Sequence, residues 1–387
     1  MVTLFEFLGE EEIENVITCL NYKIDKVVFL GYEKDIRKQK GTLSNFLARY
    51  CGVQEVSFNC LSNKNLPAIS NEISKRIETE IKNGSDYYFD VTGGEDLILV
   101  AFGMLAKNYS APLHYYDVRK NKLIEVDEGS ARSISTDVEE RKTIMNIDMW
   151  IEMKGGTVNN RFHKKYKEND YPVFIDNIGK IRNIMLKYSE VWNPFIIILN
   201  RLLMPKDGLN ISVDSAEINR DIQKNTSKLN SVQYLKAILT DFNEAGIIEE
   251  YSYSNGKCEF KYCSQDIRDC LTEGGGVLEL YVYFKEREYA DDCKVGVLLD
   301  WDKEIHKNIN LDVMNEIDVI TIRNNIPTFI SCKTGKMDAN QTLHALYELD
   351  TVADRFGGKY ARKMLATNIP ISDICLSRAN EMGIRIY

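Results

Sequence analysis

The stretch from Asn315 to Gly335, Asn-Glu-Ile-Asp-Val-Ile-Thr-Ile-Arg-Asn-Asn-Ile-Pro-Thr-Phe-Ile-Ser-Cys-Lys-Thr-Gly, leaves the last third of the chain little choice of fold. Ile317 to Ile322 is dense in β-branched residues, Arg323 to Pro327 carries turn chemistry, and Thr328 to Cys332 is a second β-prone run. That order predicts a hairpin. Side chains alternate faces along a strand, so Ser331 and Lys333 share one face, and the hairpin brings Asp318 beside them.

A carboxylate and an ammonium placed together at strand ends suit metal-assisted phosphodiester hydrolysis. The acid holds a divalent ion that polarises the phosphate, and the lysine orients or deprotonates the attacking water and steadies developing charge. A third group is expected on a helix upstream. Gly274-Gly-Gly-Val-Leu-Glu279 supplies one, because the glycines end a loop and the apolar run through Phe284 reads as a helix with Glu279 on its first turn.

These three segments resemble the signature of the PD-(D/E)xK nucleases. More narrowly, they resemble the CRISPR-associated nucleases whose amino-terminal CARF domain senses cyclic oligoadenylate. The resemblance implies a restriction-endonuclease-like α/β domain with Lys333, Asp318, Glu279 and Ser331 as catalytic candidates. Asp318, Glu279 and Cys332 are the candidate ligands of Mn²⁺ or Mg²⁺. One departure stands out: the pattern usually has an acid two residues before the lysine, where this chain has Ser331. A hydroxyl is a weaker metal ligand than a carboxylate, so Glu279 or Glu316 must compensate or the ion is held weakly.

At 387 residues the chain is long for one core, which predicts two domains and a connector. The longest apolar runs, such as Leu97 to Ala106, fall short of the about 20 residues a membrane span needs. The acidic start lacks a basic leader pattern, so a cytoplasmic location is expected. The nine cysteines include no Cys-x-x-Cys pair and the four histidines are scattered, which disfavours a disulfide framework or a zinc site. A net charge of −9 opposes nonspecific coating of nucleic acid. Any such substrate must be drawn by a local patch: the run Lys154 to Lys167, with Arg161, His163, Lys164 and Lys165, or the later set Arg355, Lys359, Arg362 and Lys363.

In the amino-terminal part, strand candidates at Val2 to Leu8, Lys26 to Leu30, Gln54 to Phe58 and Tyr87 to Val91 alternate with helical patterns. Ile69, Ile73, Ile77 and Ile81 repeat at close to helical spacing, and Gly9 followed by Glu-Glu-Glu-Ile is expected to open a helix. Such alternation predicts a doubly wound, Rossmann-like α/β domain. Tyr87 to Val91 runs into Thr92-Gly93-Gly94 and an apolar helix from Glu95 to Lys107, a good seat for a phosphate or ribose. The spacing matches neither nucleotide-binding glycine fingerprint, which argues against a dinucleotide-dependent oxidoreductase.

Asp90-Val-Thr-Gly-Gly resembles the ligand-contacting CARF motif, although members often continue with threonine and lysine where this chain has Glu95 and Asp96. The resemblance makes Thr92, Gly93 and Gly94 candidate ligand positions, with Gly9 and Gly31 at the ends of the first two strands. It implies cyclic tetra-adenylate as activator, shared across the axis of a homodimer. A closing hairpin is expected at Leu113 to Val118 and Lys122 to Val126.

The expected organisation is a CARF domain at 1–145, a connector at 146–269 and a PD-(D/E)xK domain at 270–387. Within the connector, a helix at Tyr234 to Phe242 and a hairpin at Ile247 to Tyr262 suggest a winged-helix-like module. Its helix carries only Lys236 as a base, which favours a structural linker. The expected activity is a metal-dependent nuclease of type III CRISPR defence acting on RNA and/or DNA. The alternative is a ligand-sensing transcription regulator with an inert carboxy-terminal domain.

Overall fold

β1 (Val2–Phe7) and β2 (Lys26–Gly31) are buried along almost their whole length, as strands covered on both faces must be. They are the centre of the amino-terminal sheet in a computed structural model that describes residues 1–62, 65–82, 86–127, 130–133, 143–159, 165–205, 208–225, 232–272, 275–300 and 314–387. The other strands are β3 (Glu55–Cys60), β4 (Asp86–Asp90), β5 (Leu113–Asp117), β6 (Lys122–Asp127) and β7 (Ser130–Ser133), in the order β3-β2-β1-β4-β5-β6-β7. The first five are parallel and β6 and β7 antiparallel. α1 (Ile17–Asn21) and α2 (Glu33–Phe46) cover one face, while α3 (Leu66–Lys82) and α4 (Asp96–Tyr109) pack on the other. The winding direction reverses between β1 and β4, and the crevice beyond their carboxyl ends is where sheets of this topology take ligands.

One local expectation fails. Glu10 to Glu12 do not open a helix; the chain turns through residues 12–16 and becomes helical only at Ile17. Glu11, Glu12 and Glu14 are engaged instead by cations from distant elements, and tertiary pairing overrides the weak local preference.

α5 (Ile147–Met153) joins this domain to the rest through an apolar cluster that runs from Leu20 and Phe46 through Trp150 to Phe329 and Phe356. The Trp150 indole donates to the Phe356 carbonyl at 2.6 Å. After β8 (Thr157–Asn159) come α6 (Pro172–Lys187), α7 (Trp192–Leu202), β9 (Asn210–Asp214), α8 (Ser215–Asn225), α9 (Val232–Glu244), β10 (Ile248–Ser254) and β11 (Lys257–Tyr262). From α7 onward this is the helix-strand-helix-helix-hairpin order of a winged helix, and the hairpin turns on Asn255 and Gly256, both at positive φ.

α10 (Gln265–Cys270) and α11 (Gly276–Arg287) lead into β12 (Asp292–Asp300), β13 (Met314–Arg323) and β14 (Ile326–Lys333). Then follow α12 (Ala339–Gly357), β15 (Arg362–Thr367), α13 (Asp373–Glu381) and β16 (Ile384–Ile386). The sheet order is β16-β15-β14-β13-β12-β8, so β8 adds a strand from well upstream. The hairpin expected from the sequence is β13–β14, turning on Asn324 and Asn325 at φ 53 and 59. α11 packs with the central helices on one side of this sheet, and α12 joins the α5 cluster on the other.

Candidate active site and ligand cleft

Val319 pairs with Ile330 in the hairpin, which sets Asp318 directly across from Ser331. The Ser331 hydroxyl donates to Asp318 Oδ2 at 3.3 Å, and the Cys332 amide donates to the same oxygen at 2.5 Å. Burial pushes the Asp318 carboxyl up to about 6, and the nearby charge of Glu279 adds to the rise, against the Cys332 amide and the Lys333 ammonium. Glu279 stands on the first turn of α11, buried. A Cβ on Gly275 would lie 3.0 Å from Glu279 Oε1, so the glycine leaves that carboxylate room. Gly274, the other candidate loop glycine, lies outside the described residues.

Lys333 ends β14 opposite Thr367 of β15, half-buried. The turn that follows is fixed from two sides. Asn193 of α7 donates to the Thr334 carbonyl at 2.9 Å, and the Gly335 amide donates to Asn368 Oδ1 at 2.7 Å.

Two buried carboxylates close enough to repel each other are the chemistry a divalent cation relieves, and Mg²⁺ is commonly held by one or two carboxylates plus water and phosphate. Among the described residues no group of three or more His, Cys, Asp or Glu side chains is arranged for a metal ion. Against the expectation that groups Cys332 with the metal ligands, its sulfur packs in the apolar cluster under α11. Burial raises that thiol well above its ordinary range, and the neutral thiol is a poor donor to a hard ion. Glu316 is exposed on the same strand.

The second site opens at the β1/β4 reversal. A cleft of about 1110 Å³ is lined by Gly9, Glu10 to Glu12, Glu14, Lys38, Gly94 and Glu95 from the amino-terminal domain, and by Lys154, Arg355, Gly358 and Lys359 from beyond it. Gly9 is tied down by Asn15, which accepts from its amide and donates to its carbonyl, while Gln39 donates to the same carbonyl. A Cβ on Gly9 would come 3.9 Å from the Gly94 amide, so the two turns meet. Gly94 itself has φ +136, which only glycine adopts without strain.

The other glycine-turn candidates support this cleft from behind. Thr92 Oγ1 accepts from the Tyr116 amide, and its own amide donates to Asp90 at 2.6 Å. Gly93 lies against Glu14, where a Cβ would meet Oε2 at 2.5 Å. Gly31 is packed against Leu8 and Ile36 and does not line the cleft. Glu95 does line it and accepts from the Tyr32 hydroxyl at 2.9 Å.

The cleft wall is also the seam between the domains. Lys154 bridges Glu11 and Glu12 at 2.5 and 2.7 Å, Lys359 pairs with Glu14 at 2.5 Å, and the Tyr360 hydroxyl donates to Glu14.

Residues 267–387 match the family model described as Card1-like, endonuclease domain. The match spans the carboxy-terminal domain from within α10 to the last residue. Over the whole chain, the fold matches the crystal structure of protein VC1899 from Vibrio cholerae with a TM-score of 0.70 at 19% identity, covering 100% of this chain and 93% of that one. It matches Can2 from Sulfobacillus thermosulfidooxidans in complex with cyclic tetra-adenylate with a TM-score of 0.66 at 15% identity, covering 100% and 95%. A type III CRISPR defence DNA nuclease activated by cyclic oligoadenylate gives 0.52 at 13% identity, over 94% of this chain and 45% of that one. No curated protein matches significantly in sequence.

The expected fold class therefore holds: a doubly wound, Rossmann-like α/β domain at the amino-terminal end and an α/β domain matching the Card1-like endonuclease model at the carboxy-terminal end. In the endonuclease domain Asp318, Ser331, Glu279 and Lys333 come together, while Thr92, Gly93 and Gly31 stand behind the cleft that Gly9 and Gly94 line. The sequence reading missed the acidic turn with its Lys154, Lys359 and Tyr360 partners, because nothing local marks a pair made across more than a hundred residues. Of the later candidate patch, Arg355 and Lys359 line the cleft, and Lys363 is paired with Asp350 and Asp354. Of the earlier basic run, 161–164 lies outside the described residues, and Lys167 is buried against Glu279. Among the described residues no helix is long and apolar enough to cross a membrane.

Proposed function

We propose that this chain is a homodimeric, divalent-metal-dependent nuclease activated by cyclic tetra-adenylate, and that it cleaves RNA and/or DNA in type III CRISPR defence. The observation that carries the catalytic half is the meeting of Asp318, Glu279 and Lys333 around Ser331 within the Card1-like endonuclease domain. Asp318 and Glu279 would hold the ion, with Cys332 left out of the donor set. A bound ion supplies Lewis acidity toward a phosphate oxygen. Lys333 orients the phosphate or its attacking water and balances developing charge. Ser331 and the Cys332 amide keep the Asp318 carboxylate aimed, and the amide opposes part of the rise that burial imposes on it.

The sensing half rests on the cleft at the β1/β4 reversal. Lys38, Lys154 and Lys359 offer cations to a polyanion there, and the Gly9 and Gly94 turns let backbone approach it. The fold relative Can2 is described in complex with cyclic tetra-adenylate, which supports this ligand. Ligand phosphates would compete with Glu11, Glu12 and Glu14 for those lysines, shifting the seam on which the endonuclease domain sits.

Division of the chain at 1–145, 146–269 and 270–387 belongs to the same reading, except that β8 serves the endonuclease sheet. The winged-helix order of the middle segment does not favour the transcription-regulator alternative: Lys236, the one basic residue of α9, lies 4.0 Å over the Tyr253 ring and is spent there. The test is incubation of the pure protein with labelled RNA and DNA, with and without Mn²⁺ or Mg²⁺ and each cyclic oligoadenylate. Cleavage that needs both metal and cyclic tetra-adenylate is the expected result. Cleavage indifferent to every cyclic oligoadenylate would remove the sensing half.

A further inference from the structure

Lys167 belongs to a basic run that offers itself as a nucleic-acid patch, yet its side chain is 4% exposed and its ammonium lies 2.7 Å from Glu279 Oε2. The route to that position is built into a second element. A Cβ on Gly296 of β12 would meet Lys167 Nζ at 2.7 Å and Cδ at 3.2 Å, and Gly296 has φ +62, a conformation that excludes most side chains in any case. Its neighbours Val295 and Val297 pair with Val319 and Ile317, so the lysine stem crosses β12 at the level of Asp318. A glycine and a lysine far apart in sequence thus seat one ammonium against Glu279, at the register level of Asp318.

We infer that the Lys167 ammonium is the resident cation of the endonuclease site, holding Glu279 until a divalent ion takes its place. This rests on the reading of Asp318 and Glu279 as ion-holding residues. Buried carboxylates need a countercharge, and Lys167 supplies it to Glu279. A divalent ion at ligand distance from the same carboxylate, about 2.0–2.1 Å for Mg²⁺, repels an ammonium already in contact with it, so the two occupancies exclude each other. Lysine suits the role because it is a point charge on a flexible stem, with no bidentate grip to break. Lys167 sits on the short turn Lys165–Glu168, between β8 of the endonuclease sheet and α6 of the middle segment. Movement of that connector changes the reach of the lysine, which places Lys167 as a positioning residue between sensing and metal affinity.

The experiment uses the full-length wild-type protein with Mn²⁺ as probe and no substrate. Calorimetry measures Mn²⁺ binding, and amine-reactive labelling read by mass spectrometry measures access to Lys167. The expected result is a Lys167 protected without metal and labelled several-fold faster once Mn²⁺ saturates. Lys167→Gln should bind Mn²⁺ about tenfold tighter, having lost a competing charge. Should that variant fail to fold, the wild-type labelling carries the test. Mn²⁺ binding that leaves Lys167 equally protected overturns the inference and spares the metal reading. Absence of Mn²⁺ binding in the wild type, or binding undiminished in Asp318→Asn, overturns the metal reading and this inference with it.

Discussion

Asp318 and Ser331 face each other across the β13–β14 pair, the serine hydroxyl donating to Asp318 Oδ2 at 3.3 Å where the nuclease pattern has an acid. A hydroxyl in that place favours the ionised form of Asp318, whereas a second carboxylate would oppose it. The chain thus trades negative charge for an easier ionisation of the acid it keeps.

Ser331→Glu tests that trade. With less charge in the wild-type site, Mn²⁺ should support cleavage better than Mg²⁺. The added carboxylate should narrow the gap severalfold in cleavage assays run with each ion. An unchanged Mn²⁺ to Mg²⁺ ratio would place Ser331 outside the reach of the ion.

Asp318→Asn should separate activity from stability. The native Asp318 carboxyl is raised to about 6 from an ordinary 3.8, so the folded state keeps its proton longer than the unfolded chain. Wild-type stability therefore falls as pH rises from about 4 to about 6, by up to ~3 kcal/mol for a shift of that size. A residue that cannot ionise escapes this loss and still accepts the Cys332 amide. Thermal unfolding should show the variant more stable than wild type above pH 6 and equal below about pH 4, while cleavage and metal binding are lost. In the wild type, metal affinity should weaken as pH drops below about 6, because protons then compete with the ion for Asp318.

Lys333→Ala should lower cleavage by about 10²–10³-fold, the usual effect of deleting one group that meets developing charge. Mn²⁺ binding should persist, because the lysine is no ligand. A variant that cleaves normally would end the catalytic assignment.

At the other site, Gly94→Ala should cost the activator more than it costs the fold. The backbone at φ +136 strains any other residue by about 1–3 kcal/mol, and the new methyl would sit 3.1 Å from Leu99 and 3.3 Å from Phe7. Gly93→Ala acts differently, pushing on the Glu14 carboxylate that holds Lys359 and Tyr360. Calorimetry should report weakened cyclic tetra-adenylate binding in the first variant. The second should keep more affinity and lose more of the stimulation of cleavage. Equal affinity in Gly94→Ala and wild type would move the pocket elsewhere.

How much of this was legible in the sequence depended on range. β13–β14 announced itself through β-branched runs flanking Asn324-Asn325, and the apolar stretch after Gly94 became α4, because period and turn chemistry act within a few residues. Opposition of Asp318 and Ser331 follows from the length of that hairpin turn. The acidic run after Gly9 misled, since its charges find Lys154 and Lys359 only in the folded chain. Lys167 misled for the same reason: a basic run looks like an anion-binding patch until β12 offers a glycine to pass one lysine inward. β8 was invisible as an endonuclease strand because three residues carry no period, and its pairing with β12 is set by the fold.

The last prediction concerns the surface on which two copies would meet. α4 buries Ile98, Ala101, Phe102 and Leu105 against its own sheet, yet Leu97, Val100 and Met104 stand about half exposed along another stripe. A helix apolar on two sides is one that is covered on two sides. α4 starts two residues after Gly94, so pairing of this stripe with its copy about a two-fold axis would set two ligand clefts side by side, as a two-fold ligand requires. Val100→Glu puts a charge at the centre of the stripe without touching the domain core. Sedimentation velocity should find the variant monomeric. Calorimetry should find its affinity for cyclic tetra-adenylate reduced about tenfold or more, as expected when a central contact is lost. A variant that stays dimeric and binds normally would place the dimer contact on another face and leave the α4 stripe unexplained.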